Sequence, residues 1–303
     1  MPDRVGFVGL GIMGRPMAEN LSKAFPVKGF DAQPARAAAT AGIERAGSVA
    51  EVARACPVVL LSLPSAAIVE EVVLGQEGLL AALPAGALVI DLSTNLPTTS
   101  RRIAERLAGK GIEFADAPVS GGEEGARTAA LAIMVGALPA TFQRCRPYLA
   151  ALGSSVVHVG GVGAGGVAKL VNNMIVGTAF ATIAEGFALA ERNGVDPASL
   201  YQAIRGGWAG SKVLEVSGPA IAAREYVPGG TIDMLQKDLS YARTVAAESR
   251  SPAPMTAAAH ELFVSGQAAG HGPKSQPALF ELWNPGENGQ DGRAGAAGGG
   301  DRD

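Results

Sequence analysis

The segment from Val5 to Gly14 constrains the fold of this chain more than any other segment. A short apolar run, Val5-Gly6-Phe7-Val8, predicts a buried strand, and three spaced glycines follow it in Gly9-Leu10-Gly11-Ile12-Met13-Gly14. The first glycine suits a tight turn, the second a close backbone approach to a pyrophosphate, and the third close packing of a helix on the strand. The pattern therefore predicts a strand–turn–helix unit that binds phosphate at the helix N-terminus.

An acidic residue in the next predicted strand indicates which phosphate compound binds. Asp31 lies twenty residues after Gly11, at the end of a strand predicted over Pro26–Phe30. A carboxylate there accepts hydrogen bonds from a ribose diol, although Asp31 capping a turn is the alternative. It would also repel a 2′-phosphate, and Arg36 is the only nearby cation. The sequence predicts a nicotinamide dinucleotide, with NAD(H) favoured and NADP(H) possible.

The first half of the chain alternates short apolar runs with helical patterns, which predicts βαβ units and a parallel sheet. A helix is predicted from about Ile12 to Lys23, and Ser48 with Glu51 forms a capping box at the start of another. Further strands are predicted over Pro57–Leu61, Ala87–Ile90, Ile112–Phe114, Leu131–Val135 and Val156–Val159.

After Gly166 the strand patterns nearly vanish and Ala-rich helical periodicity takes over. A long helix is predicted from about Gly166 to Asn193, and Asp196-Pro197 marks the start of the next. The prediction is an α/β fold. An N-terminal Rossmann-type dinucleotide-binding domain (residues 1–163) precedes an all-helical domain (164–283) with a long connecting helix. The Gly-rich stretch 284–303 is predicted to be a disordered tail.

Composition excludes several classes of partner. The net charge of −3 and the absence of a dense Lys/Arg cluster argue against nucleic-acid binding. The apolar stretch Met174–Ala190 carries Glu185 and falls short of the ~20 apolar residues of a membrane span, so a buried helix is predicted. Two distant cysteines, and a start without room for a signal peptide, predict a cytoplasmic protein. The three histidines show no metal-ligand spacing, and no metal is predicted.

Two polar groups stand out as candidates for chemistry. Lys169, Asn172 and Asn173 share one face of an otherwise apolar helix. This face is either a solvated stripe or a site in which a lysine exchanges a proton with a substrate oxygen. The loop Asp116–Gly122 follows a strand, and its Ser120 and two glycines suit either carboxylate binding or a structural turn.

Four segments, in this order, resemble the β-hydroxyacid dehydrogenase family: Val5–Gly11, Asp116–Gly122, Gly163–Leu170 with Asn172-Asn173, and Lys237–Leu239. The resemblance extends from about Arg4 to Trp283. It implies an oxidoreductase that acts on a small carboxylated aldehyde or hydroxyacid, and a homodimer or homotetramer built on the long helix.

The resemblance also implies roles for individual residues. Lys169 would be the catalytic acid/base, and Asn173 would orient the substrate. The substrate carboxylate would bind Ser120, Gly121 and Gly122. Leu63, Pro64 and Thr94 would line the nicotinamide side of the cofactor, and Lys237 would close the site from the second domain.

The chain departs from the family pattern at two places. Arg127-Thr128-Ala129-Ala130 stands where a glycine is usual, which would reshape the substrate pocket. Pro273–Pro277 replaces a stretch that normally carries an acidic residue, which would loosen the last helix.

One further segment indicates which substrate the enzyme would use. Tyr201–Ser211 looks most like tartronate semialdehyde reductases, with Ser211 expected to bond a polar substrate. A 3-hydroxyisobutyrate dehydrogenase is the alternative enzyme, and a non-catalytic dinucleotide-binding scaffold is the alternative of another class. Retention of Lys169, Asn173 and Lys237 favours an enzyme.

Overall fold

The computed structural model describes residues 4–227 and 229–284. The chain divides into two compact units, residues 1–172 and residues 173–303. Apart from Asn284, the stretch 284–303, predicted to be a disordered tail, lies outside the described residues.

The first unit is built on a nine-stranded sheet. Its strands are β1 (Val5–Val8), β2 (Val27–Phe30), β3 (Ile43–Arg45), β4 (Val58–Leu61), β5 (Leu88–Asp91), β6 (Glu113–Asp116), β7 (Val119–Ser120), β8 (Ala132–Gly136) and β9 (Ser155–Gly160). Their order is β3-β2-β1-β4-β5-β6-β8-β7, with β9 paired to β8. Strands β1 to β6 run parallel, and the order reverses beside β1, as in Rossmann-type sheets.

Helices on both faces explain why the central strands are almost entirely apolar. Every residue of β1, β4 and β5 is buried. Two separate apolar cores lie on the two faces of the sheet, one around Phe7 and Met17 and the other around Leu61 and Ile103. The parallel Rossmann-type sheet predicted from the sequence is confirmed.

Eight helices of the first unit connect these strands: α1 (Gly14–Ser22), α2 (Pro34–Ala38), α3 (Val49–Ala55), α4 (Ala66–Leu74), α5 (Leu79–Ala82), α6 (Pro97–Ala108), α7 (Gly122–Arg127) and α8 (Pro139–Ala150). The predicted cap of α3 forms, because the Ser48 hydroxyl accepts the Glu51 amide. The reciprocal bond differs from the prediction. Glu51 accepts the amide of Gly47 at 2.8 Å, one residue before the cap, while its other oxygen lies 2.8 Å from Lys28 Nζ.

The long helix α9 (Ala164–Arg192) begins in the first unit and continues into the second. The second unit adds α10 (Pro197–Ile204), α11 (Lys212–Ala223), α12 (Ile232–Glu248), α13 (Pro254–Ala268) and a 3₁₀ helix over Gln276–Leu282. Asp196 caps α10 by accepting the Ser199 amide, as the Asp-Pro pair predicted. The predicted boundary between residues 163 and 164 falls at the first turn of α9, and it stays a prediction.

The long helix is less buried than its composition predicted. One face carries Phe180, Ala184 and Phe187 into the core of the second unit. Another face leaves Val171, Ile175 and Leu189 exposed. The prediction of a buried helix therefore holds for one face of α9 and not for the other.

Candidate functional site

The predicted cofactor residues lie at one edge of the sheet. Because β1, β2, β4 and β5 are parallel, their carboxyl ends meet at that edge, where Val8 is in register with Phe30 and with Leu61. Gly9, Asp31, Leu63 and Thr94 follow these strands directly or within three residues. The sheet therefore brings together groups that lie up to 85 residues apart in sequence.

The glycine turn has the form that a pyrophosphate site requires. Gly9 adopts a φ of +94°, and any side chain there would collide with the Ser62 carbonyl. A side chain on Gly14 would collide with the Gly9 carbonyl, because α1 packs tightly on the turn. At Gly11 the space is open, with only the Arg36 guanidinium about 3.9 Å from a built Cβ. Two glycines thus shape the turn, and the third leaves room for a ligand at the start of α1.

Asp31 is buried and holds the glycine turn in place. Its Oδ2 accepts the Leu10 amide and its Oδ1 accepts the Gln33 amide, each at 2.8 Å. The Arg36 guanidinium lies 3.8 Å from Oδ1 and is half-exposed. The alternative role of Asp31 in capping a turn is therefore present, and a carboxylate still has further acceptor positions for a ribose diol.

The loops after β4 and β5 are joined beneath the residues expected to line the nicotinamide. The Leu63 amide donates to Ser93 Oγ at 2.8 Å, and the Ser93 amide donates to Asp91 Oδ1 at 3.0 Å. Asp91 is fully buried, and desolvation raises its pKa to about 6 although Ser93 and Asn95 stabilise the charged form. Leu63 and Thr94 are half-buried above this network, and Pro64 is exposed.

The predicted substrate loop spans the end of β7 and the start of α7. Ser120 is the last residue of β7, while Gly121 and Gly122 adopt φ values of +135° and +63°. The side chain of Asn20, buried on α1, donates to the carbonyls of Ala126 and Arg127 at 2.7 and 3.2 Å. The cofactor helix thereby fixes the helix that follows the substrate loop, a link that the sequence analysis missed.

The first departure from the family pattern has a visible consequence. Arg127 forms an ion pair with Glu124 at 2.7 Å across one turn of α7. Ala129 adopts a φ of +54°, a left-handed conformation that favours glycine. Alanine in this conformation carries a cost in strain.

Lys169 lies in the second turn of α9 and is half-buried. It follows Gly166 by three residues, so the two positions share a helix face. The Gly166 amide donates to Asp116 Oδ2 at 2.7 Å, and the Gly163 amide donates to Asp116 Oδ1 at 2.7 Å. Burial, with a smaller contribution from Asp91, raises the pKa of Asp116 to about 7, against the effect of these two amides.

In the second unit, Asn173 is buried and its Nδ2 donates to Asp238 Oδ2 at 2.7 Å. Asp238 is also buried, and its Oδ1 lies 3.1 Å from Lys237 Nζ. The sequence analysis quoted the Lys237–Leu239 segment but gave Asp238 no role. Asp238 could have been identified as a site residue from its position directly after Lys237, which was predicted to belong to the site.

Two open cavities lie outside the cofactor edge. One of about 440 Å³ is lined by Arg101, Val159, Gly161, Val162, Ala164, Val167 and Ala168 in the first unit. The other, of about 600 Å³, is an apolar groove in the second unit between α9, the 209–211 loop and the start of α13. Trp208, beside this groove, is fully exposed.

Two further expectations from the sequence concern Ser211 and the Pro273–Pro277 stretch. Ser211 lines the apolar groove, but its Oγ accepts the Leu214 amide at 3.1 Å and so caps α11. The last helix, near Pro273–Pro277, is of 3₁₀ type, and Ser275 forms a bridge with Thr231. The expected loosening there stays a prediction.

Residues 4–227 and 229–284 contain no cluster of three or more His, Cys, Asp or Glu side chains able to hold a metal ion. Within the same residues, α9 is the one helix long and apolar enough to cross a membrane, which is weak evidence because core helices of soluble proteins are equally long and apolar.

Comparison with known proteins gives two family matches that together cover most of the chain. Residues 4–160 match the NAD binding domain of 6-phosphogluconate dehydrogenase. Residues 163–283 match the NAD-binding family of NADP-dependent 3-hydroxyisobutyrate dehydrogenase.

Three relatives are similar over nearly their whole lengths. The chain is 37% identical to 2-(hydroxymethyl)glutarate dehydrogenase of Eubacterium barkeri, over 92% of this chain and 94% of that protein. It is 39% identical to 3-hydroxyisobutyrate dehydrogenase of Pseudomonas aeruginosa, over 86% and 90%. It is 36% identical to 2-hydroxy-3-oxopropionate reductase of Escherichia coli, over 92% and 96%.

A solved structure agrees with these matches. Mycobacterium tuberculosis 3-hydroxyisobutyrate dehydrogenase with L-serine superposes with a TM-score of 0.85, at 32% identity, covering 94% of this chain and 100% of that one. The glycine turn, the parallel sheet and these relatives define an NAD(P)-dependent oxidoreductase of hydroxyacids. The chain belongs to the β-hydroxyacid dehydrogenase family. That family was the one indicated by the sequence.

Proposed function

We propose that this protein catalyses the reversible reduction of tartronate semialdehyde (2-hydroxy-3-oxopropionate) to glycerate with NADH. The observation that supports it most is that one compact unit contains both the glycine turn at the carboxyl edge of the sheet and Lys169, in the second turn of α9. This arrangement supplies a dinucleotide site and a proton-transfer group within one unit.

NAD(H) is the proposed cofactor because of Asp31. Its carboxylate lies at the end of β2, where it can accept hydrogen bonds from the adenosine ribose and repel a 2′-phosphate. Arg36, 3.8 Å away, is the one group near Asp31 that would favour NADP(H). Its charge is offset by Asp31 in this conformation.

Lys169 is the proposed acid/base. A bound dihydronicotinamide supplies the hydride to the substrate carbonyl carbon. Lys169 Nζ then gives a proton to the developing alkoxide, so the lysine must be protonated for reduction and neutral for oxidation.

The remaining residues hold the substrate. Ser120, Gly121 and Gly122 bind its carboxylate, and Asn173, whose amide nitrogen is held by Asp238, orients it. Lys237 is the further residue proposed to contribute to the site.

The choice of substrate rests on the segment from Gly206 to Ser211. Apart from its chain neighbours, no described atom lies within 4 Å of a Cβ built on Gly206, so there is room beside Gly206, whereas a Cβ on Gly210 would collide with the Arg205 carbonyl. Ser211 accepts a backbone amide, but its hydroxyl hydrogen can still donate to a polar substrate. A site built around a substrate hydroxyl discriminates against an analogue that lacks it, because its own polar groups are then left without partners.

The second candidate is 3-hydroxyisobutyrate dehydrogenase, which would use the same catalytic residues. The similarity to proteins of that name favours it, and Ser211 acting as a helix cap weakens the argument for a polar substrate. The two candidates differ in whether the substrate carries a hydroxyl or a methyl group.

One spectrophotometric panel separates the candidates. The purified protein is assayed with tartronate semialdehyde, methylmalonate semialdehyde, succinic semialdehyde and glyoxylate, each with NADH and with NADPH. We expect the highest kcat/KM for tartronate semialdehyde with NADH. A higher value for methylmalonate semialdehyde would move the assignment to 3-hydroxyisobutyrate dehydrogenase.

We further propose a cytoplasmic homodimer or homotetramer. The apolar groove of about 600 Å³ includes Ile175, Ala179 and Met255, and a second copy of the chain would cover it. Exposed apolar patches of this kind mark protein interfaces in soluble proteins.

A further inference from the structure

We infer that Asp116 is a positioning residue that sets the location of Lys169 by anchoring the first turn of α9. The inference rests on the proposed role of Lys169. Asp116 ends β6, far from α9 in sequence, and its two carboxylate oxygens accept the Gly163 and Gly166 amides at 2.7 Å each.

The two hydrogen bonds from the Gly163 and Gly166 amides to Asp116, called the anchor below, fix both the position and the rotation of the helix start. A single hydrogen bond would let the first turn pivot. Two bonds from one planar carboxylate to amides three residues apart prevent this rotation. Lys169 lies one helical turn beyond Gly166 on the same face. A change at Asp116 is therefore transmitted to Lys169 through a single rigid turn.

Three glycines make this close approach possible. A side chain on Gly165 would collide with the Met134 carbonyl and would lie about 2.6 Å from the Asp116 carbonyl. A Cβ on Gly136 would lie about 2.5 Å from Asp116 Oδ1. Gly163 adopts a φ of +91°, which aims its amide at the carboxylate and disfavours other residues there. The Gly163-Ala164-Gly165-Gly166 segment therefore has a physical reason to be rich in glycine.

Charged groups lie close to the anchor. Asp91 on β5 is a carboxylate that acts on Asp116, and the Arg101 guanidinium on α6 lies near Gly163. Asp116 itself is 2% exposed, so solvent screens its charge weakly. Above the raised pKa of Asp116, about 7, its negative charge favours the protonated form of a lysine one turn away, in opposition to the helix dipole.

The test compares Asp116→Asn with a matched control, Asp196→Asn. Asp196 caps α10 in the second unit by the same kind of bond and has no part in the proposed site. Asp116→Asn should lower kcat about 10-fold, since small misplacements of catalytic groups cost this much or more. The high-pH limb of its kcat profile should move to lower pH, because the charge that supports protonated Lys169 is gone. KM for NADH should stay unchanged. Asp196→Asn should lower Tm without moving kcat or the pH profile.

A second variant decides the question if Asp116→Asn does not fold. Gly163→Ala strains the same anchor from the helix side and leaves Asp116 in place, so it should lower kcat at constant KM for NADH. Normal kcat and an unshifted pH profile in the folded Asp116→Asn variant would overturn the inference, as would normal kcat in Gly163→Ala. Wild-type activity that survives Lys169→Ala would instead overturn the proposed function, and this inference with it.

Discussion

Asn173 Nδ2 and Asp238 Oδ2 lie 2.7 Å apart, and both side chains are buried in the second unit. The two residues are 65 positions apart, on α9 and α12. A carboxylate that accepts from an amide nitrogen fixes which end of the asparagine faces it. Asp238 therefore determines how Asn173 would present its amide oxygen in the proposed substrate site.

The first prediction follows from this bond. Asn173→Ala and Asp238→Ala should each lower kcat/KM, and the double variant should lose less than the sum of the two. A bond to a charged group contributes about 1.5–3 kcal/mol, and contacting residues are coupled by a similar amount. A double-mutant cycle in kcat/KM and in urea unfolding measures this coupling. Additive effects would show that Asp238 does not act through Asn173.

The second prediction concerns proton transfer. Lys169→Ala should lower kcat by about 10² or more, the usual contribution of a general acid, while cofactor binding stays intact. Lys212→Ala is the control, because Lys212 is a surface lysine paired with Glu215. Steady-state kinetics and NADH fluorescence titration provide the two readouts. Normal turnover in Lys169→Ala would remove this lysine from the mechanism.

The third prediction concerns cofactor preference. Asp31→Asn should shift the ratio of kcat/KM values toward NADPH, because it removes the repulsion of a 2′-phosphate and releases Arg36 from its acidic neighbour. Adding Arg36→Ala in that background should reverse the gain. Kinetics with both cofactors on one substrate decide the matter. A wild-type preference for NADPH would contradict the role assigned to Asp31.

The fourth prediction concerns strain after the substrate loop. Ala129→Gly should raise the free energy of unfolding by about 0.5–1 kcal/mol. An alanine in the left-handed conformation costs about 1–2 kcal/mol, and part of this gain is offset because glycine loses more conformational entropy on folding. Ala130→Gly is the control, because Ala130 does not adopt a positive φ, and it should destabilise. Urea unfolding measures both. Equal effects of the two changes would mean that Ala129 carries no strain.

The fifth prediction concerns assembly. Ile175→Glu should convert the proposed dimer or tetramer to smaller species, because it places a charge in the apolar groove of the second unit. Val216→Glu is the control. Val216 is 58% exposed against 67% for Ile175, but it does not line the groove. Light scattering after size-exclusion chromatography measures the mass. An unchanged mass for Ile175→Glu, or a monomeric wild type, would contradict the proposed interface.

The sequence by itself determined most strands of the first unit and their order along the chain, although β3 and β7 were not predicted. Apolar runs predicted strands β1, β4 and β5 within one residue at each end, because strands covered on both faces must be apolar throughout. The sequence also predicted which residues meet at the cofactor-binding edge of the sheet. Parallel strands bring their carboxyl ends together, so the sequence pattern predicted Gly9 and Asp31 in one dinucleotide site.

Local patterns were ambiguous wherever one residue type serves two purposes. Ser211 suited a polar substrate contact and a helix cap equally well, and it forms the cap. The long helix was predicted to be buried because it is apolar, yet composition cannot say whether its cover comes from the same chain or from another.

Only the tertiary structure decided the partners of the buried polar groups. Asp116 reaches Gly163 and Gly166 across 47 and 50 residues, and Asn20 reaches Ala126 across 106. A buried carboxylate or amide must find a hydrogen-bond partner, but which one it finds depends on how helices and strands pack. Periodicity along the chain records which face of an element is buried, and it contains no information on what lies opposite that face.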